Sequence, residues 1–378
     1  WLKPFWLKLR PRPAGARPPP SRSLASGAAR GPSAPAGAMA CPPLPADISL
    51  NKYSLEFRHA ELRQATSGFD PARRLGKGAF GAVFRGIHVD GTEIAVKVLD
   101  VPEEGGFEEE VRVLSKFRHP NLVCLMGFAR HGSTRFLVYE MLDGGDVFRR
   151  LQNSARVPFF WRSRVSVAYD AACGLSHLHN CKPEAFHRDI KSANVLLDRN
   201  GTAKMADFGL SCLEHHGRAC RVESAGGTPG YACPIYAQSR IVTEASEVYS
   251  FGAVLLELLT ASPPAWPSTK PGSDGEFTFL VALIGGSVEA ALALADSRAS
   301  FSGAAARALA GLALRCVTLV QDQRPPFVEL VAALRALRDA QELGPEALGL
   351  SVAALAGFTP AAAAVLAEPA ALVAAAPL

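Results

Sequence analysis

Paired cysteines, long apolar runs and internal repeats are all missing from this chain. Its eight cysteines are scattered, with no CxxC pair and no Cys/His ligand spacing. That argues against a disulfide framework or a structural zinc site and for free thiols in a reducing compartment. Cys212 and Cys220 are candidates for exposure, with nothing to say that they react. The most apolar stretch, "TPAAAAVLAEPAALVAAAPL", contains Pro360, Glu368 and Pro369 and is largely alanine, which supplies little hydrophobic drive. It does not read as a membrane span.

Acidic residues are scarce at the start. The first fifty residues hold seven basic side chains against Asp47 alone, a net charge of +6 within a chain whose total is +5. The remainder is therefore close to −1, and no basic face for nucleic acid is implied. "WLKPFWLKLR" has too short an apolar core for a signal peptide; its Arg-rich, acid-poor character leaves a transit peptide as the minor alternative to a disordered Pro/Arg/Ala tail. The first residue is Trp1 rather than Met, which leaves open that the chain is a piece of a longer one.

What is present is a core. With 378 residues, 48% of them hydrophobic, the chain can build one large domain or two lobes. The reading expects a tail over 1–50, a folded domain over 51–340 and an Ala-rich low-complexity tail over 341–378. Between Arg73 and Asp100 the pattern is β, with "LGKGAFGAVFRGIHV" and "TEIAVKVLD" meeting across the turn signal Asp90-Gly91. A helical pattern follows from Phe107 to Arg118, then the strand "FLVYEM". Past Gly144-Gly145, helices are expected at Trp161–Asn180, Glu244–Thr260 and Ala304–Val320. A small β-rich lobe thus precedes a larger α-rich one, joined near residues 139–145.

"GKGAFGAV" puts Gly76, Gly78 and Gly81 between two strand patterns, where bare backbone N–H groups can approach phosphate oxygens. Alone, the pattern fits a bulged glycine hairpin equally well, and strand–turn–strand is not the context of a dinucleotide fold. Lys97 shifts the balance. In "EIAVKV", Ile94, Val96 and Val98 share one face and Ala95 and Lys97 the other, so Lys97 can reach phosphates beneath the loop. A semi-buried ammonium needs a carboxylate partner. In "FEEEVRVLSKF", the apolar side chains centre on the direction of Glu110, whereas Glu109 and Glu108 turn away, so Glu110 is the expected partner.

"FHRDIKSANVLLD" concentrates charge beside an apolar run. "VLLD" and "TAKMAD" flank Arg199-Asn200-Gly201 and read as a hairpin whose closure brings Asn194 towards Asp207. An amide oxygen and a carboxylate form a sparse hard-oxygen site, suited to Mg²⁺ that takes its other ligands from phosphates and water. Asp189 lies within reach of that site, and Lys191 adds a positive charge for a transferring phosphoryl group.

The motifs "GKGAFGAV", "IAVK", "HRDIKSAN" and "DFG" resemble those of eukaryotic protein kinases over roughly residues 69–338. "FRHAELRQATSGFD", "FRHPNLVCLMGF", "FLVYEML" and "EVYSFGAVLLELLT" resemble the Pelle, interleukin-1-receptor-associated and plant receptor-like group. The resemblance implies an α+β, bilobal protein kinase fold: a small antiparallel β-sheet lobe with one helix, over about 69–139, and a larger α-helical lobe over about 145–338. It implies an ATP- and Mg²⁺-dependent kinase acting on Ser/Thr of protein substrates, under an upstream kinase or receptor, without nucleic acid. It also implies a cytoplasmic place, or membrane association if a segment precedes Trp1.

By the same resemblance, Gly76, Gly78 and Gly81 cover the ATP phosphates, and Val83 and Ala95 contact adenine. Tyr139 stands at the back of the pocket, and the backbones of Glu140 and Leu142 bond the base. Lys97, fixed by Glu110, holds the α/β-phosphates. Asp189 orients and deprotonates the substrate hydroxyl, and Asn194 and Asp207 hold Mg²⁺. Lys191 and Thr228 mark serine/threonine specificity. Arg188 pairs with a phosphate on the activation segment, Asp207 to Pro234, with Ser224 the expected phosphosite and Thr228 structural.

Two positions depart from the family pattern. Ile235 stands where relatives carry a Glu that pairs with an arginine, here Arg324 in "DQRPPF". Glu247 replaces the Asp that accepts from the His-Arg-Asp backbone. The expectation is therefore a working, slowed kinase, with a nucleotide-binding pseudokinase scaffold as the alternative.

Overall fold

The computed structural model describes residues 50–343 apart from 79–80, 100–105, 216 and 269–276. The tails expected at 1–50 and 341–378 lie outside these residues, but for Leu50 and the end of the last helix. The chain opens with a 3₁₀ turn at Leu50–Lys52, strand β1 (Leu55–Glu56) and helix α1 (His59–Ala65). Strands β2 (Arg74–Gly78), β3 (Gly81–Ile87) and β4 (Glu93–Leu99) follow, then helix α2 (Phe107–Lys116) and strands β5 (Leu125–His131) and β6 (Thr134–Glu140). They form a six-stranded sheet in the order β1-β5-β6-β4-β3-β2. All pairs are antiparallel except β1 with β5, which is parallel.

The β3–β4 hairpin turns where Asp90-Gly91 predicts. Gly91 sits at φ +87°, a conformation that costs other residues a Cβ clash, and Asp90 Oδ1 accepts from Thr92 N at 2.8 Å. Alternation along β4 sorts its faces. Ile94 and Val96 are fully buried in a cluster with Leu62, Ala65 and Phe136, while Ala95 packs against the larger core on the other side. Within the expected folded domain but ahead of residue 69, β1 joins the sheet edge and a second helix, α1, covers the sheet with Leu62 and Ala65. Short helices such as this one are held by tertiary burial more than by propensity, so a seven-residue pattern gives little periodic signal.

The larger lobe is mainly helical. After β7 (Gly145–Asp146) come α3 (Val147–Gln152) and α4 (Trp161–Asn180). Next is β8 (Glu184–Phe186), then a hairpin of β9 (Val195–Leu197) and β10 (Ala203–Met205), which pairs with β7 as β10-β9-β7. β11 (Cys212–Glu214) pairs with β8, and β12 (Ala219–Arg221) with β13 (Ile241–Thr243), around α5 (Pro234–Ser239). Helix α6 (Glu244–Thr260) is buried almost all round, as a central core helix must be. Thr243 caps it, its hydroxyl accepting from Ser246 N at 3.2 Å. The hairpin of β14 (Ala265–Pro267) and β15 (Phe277–Phe279), then α7 (Leu280–Ile284), α8 (Val288–Ala293), α9 (Gly303–Cys316) and α10 (Phe327–Leu343), complete the lobe.

Helices α4 and α6 coincide with expectation. Helix α9 ends at Cys316 rather than Val320, because Leu319 and Val320 continue the apolar pattern but face solvent, 63% and 52% exposed. Among the described residues, no helix is long and apolar enough to cross a membrane.

Arg324, buried at 6% exposure, is served in place of the missing carboxylate by neutral groups. Its Nε donates to Thr318 O and its Nη1 to Ala245 O, each at 2.8 Å, and the guanidinium lies over Tyr249, 5.1 Å from the ring centroid. Nη2 has no partner among the described residues, and Ile235 is half turned to solvent at 36% exposure. A charged hydrogen bond contributes about 1.5–3 kcal/mol. Ile235→Glu is therefore expected to stabilise the fold by about that much in chemical denaturation. An unchanged midpoint would show that a side chain at 235 does not reach Arg324.

Candidate active site

The site lies where β4, α2, the turn before β9 and the turn after β10 converge. Burial sorts the three glutamates of α2 as its helical wheel dictates: Glu110 is fully buried, while Glu108 and Glu109 are exposed. Lys97 Nζ donates to Glu110 Oε2 at 2.9 Å and to Asp207 Oδ1 at 2.6 Å. Burial alone lowers the pKa of Lys97, but the two carboxylates outweigh it and hold the ammonium above its ordinary value. Burial likewise raises Asp207, yet Lys97 wins and keeps that carboxyl below its usual range. Glu110 Oε1 also accepts from Phe208 N at 3.2 Å, so one carboxylate ties the strand lysine to the Asp-Phe-Gly turn. Gly106, at φ +64°, lets that turn come close: a Cβ there would stand 1.7 Å from Gly209 O.

Gly76 pairs with Val83 and Val83 with Lys97, so the glycine-bearing strand β2 and the lysine are linked through one residue of β3. Gly78 and Gly81 face each other at the base of the β2–β3 turn, and Ala95 pairs with Tyr139. Tyr139 is buried, and burial with the nearby Glu110 charge raises its phenol well above the ordinary value. The Glu140 carboxylate accepts from Cys124 N at 2.8 Å and from Lys204 Nζ at 2.9 Å, fixing the chain that leads to Leu142.

Three donors surround Asp189. Lys191 Nζ reaches Oδ2 at 2.5 Å, Asn194 Nδ2 reaches Oδ2 at 3.1 Å, and Thr228 Oγ1 reaches Oδ1 at 2.8 Å. Lys191 also donates to Thr228 Oγ1 at 3.0 Å, closing a ring of three side chains. Ala206 N donates to Asn194 O at 2.9 Å, so the hairpin does bring Asn194 beside Asp207. Among the described residues, no group of three or more His, Cys, Asp or Glu could hold a metal by itself. The one amide and one carboxylate at Asn194 and Asp207 instead fit a magnesium ion completed by phosphates and water.

Arg188 and Asp207 both adopt left-handed backbone, at φ +68° and +66°. Such positions cost non-glycine residues roughly 1–3 kcal/mol and persist only where neighbours over-determine them. Glu247 supplies part of that: its Oε1 accepts from Arg188 N at 2.5 Å. The longer carboxylate thus still reaches the loop. Arg188 donates to Tyr236 Oη at 3.0 Å, Leu210 O at 2.8 Å and Ser224 O at 2.9 Å, all neutral acceptors. Ser224 itself is exposed, and Cys212 and Cys220 are half-buried.

Two supporting residues go beyond the expected site residues, although His187 stands within "HRDIKSAN". His187 is fully buried, accepts from Asp189 N through Nδ1 at 3.3 Å and faces Ala206 O through Nε2 at 3.0 Å. His179, on α4, lies between Glu184 and Glu247, with Nδ1 3.2 Å from Glu184 Oε1 and Nε2 2.9 Å from Glu247 Oε2. Helical spacing in α4 could flag a buried His179, but its acids come from β8 and α6, which only the tertiary fold brings to it.

Residues 69–332 match the protein kinase domain family. The proline-rich receptor-like protein kinase PERK3 of Arabidopsis thaliana is 42% identical over 226 residues, covering 59% of this chain and 44% of its own length. PERK7, a proline-rich receptor-like protein kinase of the same plant, is 39% identical over 268 residues, or 68% of this chain and 38% of its own. The probable serine/threonine-protein kinase PBL28, also from Arabidopsis thaliana, is 36% identical over 288 residues, 73% of this chain and 76% of its own. The chain thus spans less than half the length of these two receptor-like relatives.

The His179 clamp has a pH signature. Burial lowers its pKa, but the hydrogen bonds to Glu184 and Glu247 push it up to about 9. A folded-state pKa above the unfolded value of 6.5 gives stability that is fully present below pH 6.5 and is lost as pH rises through 9. The thermal midpoint is expected to fall across that window, and His179→Phe should flatten that part of the profile. An identical slope in the variant would place the dependence elsewhere.

Proposed function

The chain belongs to the protein kinase domain family, and we propose that it transfers the γ-phosphoryl group of ATP to serine and threonine hydroxyls of protein substrates. The observation that carries the reading is the linkage Lys97–Glu110–Phe208 together with Lys97–Asp207. It gathers a phosphate-binding ammonium and a metal-binding carboxylate beside Asp189.

In this reading the glycine turn of Gly76, Gly78 and Gly81 lies over the triphosphate, Val83 and Ala95 pack on the adenine, and the backbones of Glu140 and Leu142 bond its edge. Lys97 binds the α/β-phosphates. Asn194 and Asp207 would hold magnesium, which would supply positive charge to neutralise the phosphates. Asp189 accepts the proton of the substrate hydroxyl as its oxygen attacks the γ-phosphorus and the bond to ADP breaks. Lys191 offers positive charge to the transferring group. The serine/threonine class is supported by the printed name of the relative PBL28, and the Lys191–Thr228 bridge beside Asp189 is in keeping with it.

Purified protein with Mg²⁺ and labelled ATP is expected to label itself and a basic test protein. Asp189→Asn, which keeps the shape but not the base, should lower the rate by about 10²–10⁴-fold. Equal labelling by both proteins would count against this assignment.

Regulation fits the same frame. Among the described residues, the acceptors of the Arg188 side chain are neutral, and one of them is the carbonyl of exposed Ser224. A phosphate on Ser224, with a charge of about −2, gives that guanidinium a bidentate partner and orders the segment. Mass spectrometry of active protein is expected to find Ser224 phosphorylated, with Ser224→Ala and Arg188→Ala slowed to similar extents. A fully active Ser224→Ala would remove Ser224 from the scheme.

A further inference from the structure

Between Asp146 and Asp170 the chain carries Arg149, Arg150, Arg156, Arg162 and Arg164 and no Asp or Glu. This is unusual for a protein whose charge outside its tail is near neutrality. Arg164 is accounted for: it is fully buried and donates to Asp296 Oδ2 at 2.5 Å. Arg149, Arg150 and Arg156, with Asn153, line an open pocket of about 360 Å³ on α3 and the loop after it.

The pocket has a definite polarity. Arg149 and Arg156 are exposed. Arg150 is pre-positioned, its Nη2 donating to Pro158 O at 3.1 Å and its guanidinium lying 5.5 Å from the Phe159 ring centroid. The single carboxylate in the lining is Asp146, which caps α3 by accepting from Arg149 N at 2.8 Å and sits 3.4 Å from Arg149 Nε. Asp143, the next acid along, turns to Arg85 at 3.6 Å. Three guanidiniums against one carboxylate leave the pocket cationic. Its position bears on substrate: α3 packs against the turn Ser192–Asn194, and β7 pairs with β9 just after Asn194.

We propose that this pocket docks an acidic segment, bearing Asp or Glu side chains, of the protein that the kinase phosphorylates. Arginine is the suited side chain, because its planar fork matches a carboxylate in bidentate fashion. Each exposed pair contributes little, so recognition depends on several carboxylates meeting several arginines at once. The inference rests on the kinase reading for its substrate, but not for the binding itself.

Fluorescence anisotropy tests it directly with two labelled peptides containing one serine each, one rich in Glu and Asp and one in Gly and Ala. The acidic peptide is expected to bind the full chain about tenfold more tightly, with the difference shrinking as salt screens the charges. Arg149→Glu combined with Arg156→Glu should bring the acidic peptide to the level of the neutral one. Both changes lie on exposed positions, and circular dichroism checks that the fold is kept. Equal binding of the two peptides, or an unchanged preference in the double variant, would overturn the proposal. So would tighter binding of a single-stranded oligonucleotide of equal charge, which would make the pocket a general polyanion site. Phosphorylation of the neutral peptide separates the two inferences: it should persist in the double variant. Its absence in every protein, with the peptide preference intact, would count against the kinase assignment and not against the pocket.

Discussion

An ammonium that must not be left alone organises the site. Lys97 is carried by β4 to a half-buried position, and a poorly solvated charge left alone there would be too costly to keep. Glu110 and Asp207 remove that cost only if α2 and the Asp-Phe-Gly turn both approach β4. The approach in turn needs Gly106, since any side chain there would collide with Gly209. Electrostatics and backbone sterics thus converge on one arrangement, in which three separate elements share a single hydrogen-bonded centre.

The loop that carries Arg188 and Asp189 obeys a related constraint from below. Its arginine is held in a left-handed conformation, and the carboxylate that accepts from Arg188 N also faces His179. That histidine is fixed in turn by Glu184, the first residue of β8. A charge network buried under the loop therefore takes up the local backbone strain, and Asp189 above it is left to its ring of Lys191, Asn194 and Thr228. The floor and the ring have separate partners, so one can change without directly loosening the other.

Much of this was legible before any coordinates. Alternation along "EIAVKV" placed Lys97 opposite Ile94 and Val96, and the helical wheel picked Glu110 over its two neighbours. Both depend on local periodicity, which sequence carries well. The Asn194–Asp207 approach followed from a turn signal between two short strands. What escaped has a common character. Helix α1 is too short to show a period, and strand β5, "LMGFARH", mixes burial patterns because only part of it faces the core. The end of α9 was overrun because exposed Leu319 and Val320 mimic a core face. The clamp on His179 joins residues from three elements, and no spacing along the chain encodes such a meeting.

The two departures from the family pattern act through different physics. Glu247 changes a length inside a fixed hydrogen-bond scheme, and a side chain one methylene longer can fold to deliver its oxygen to Arg188 N. Its second oxygen stays 2.9 Å from His179 Nε2, close enough for an ion pair though without an aligned hydrogen bond. Ile235 removes a charge altogether, and Arg324 falls back on carbonyls, a thiol and an aromatic face, with one nitrogen unserved among the described residues. Carbonyl dipoles solvate a guanidinium but do not neutralise it, so this second loss is one of stability. Arg324 makes none of its hydrogen bonds to Lys97, Asp189 or Asp207, and a less stable large lobe can therefore keep the arrangement of those three residues intact.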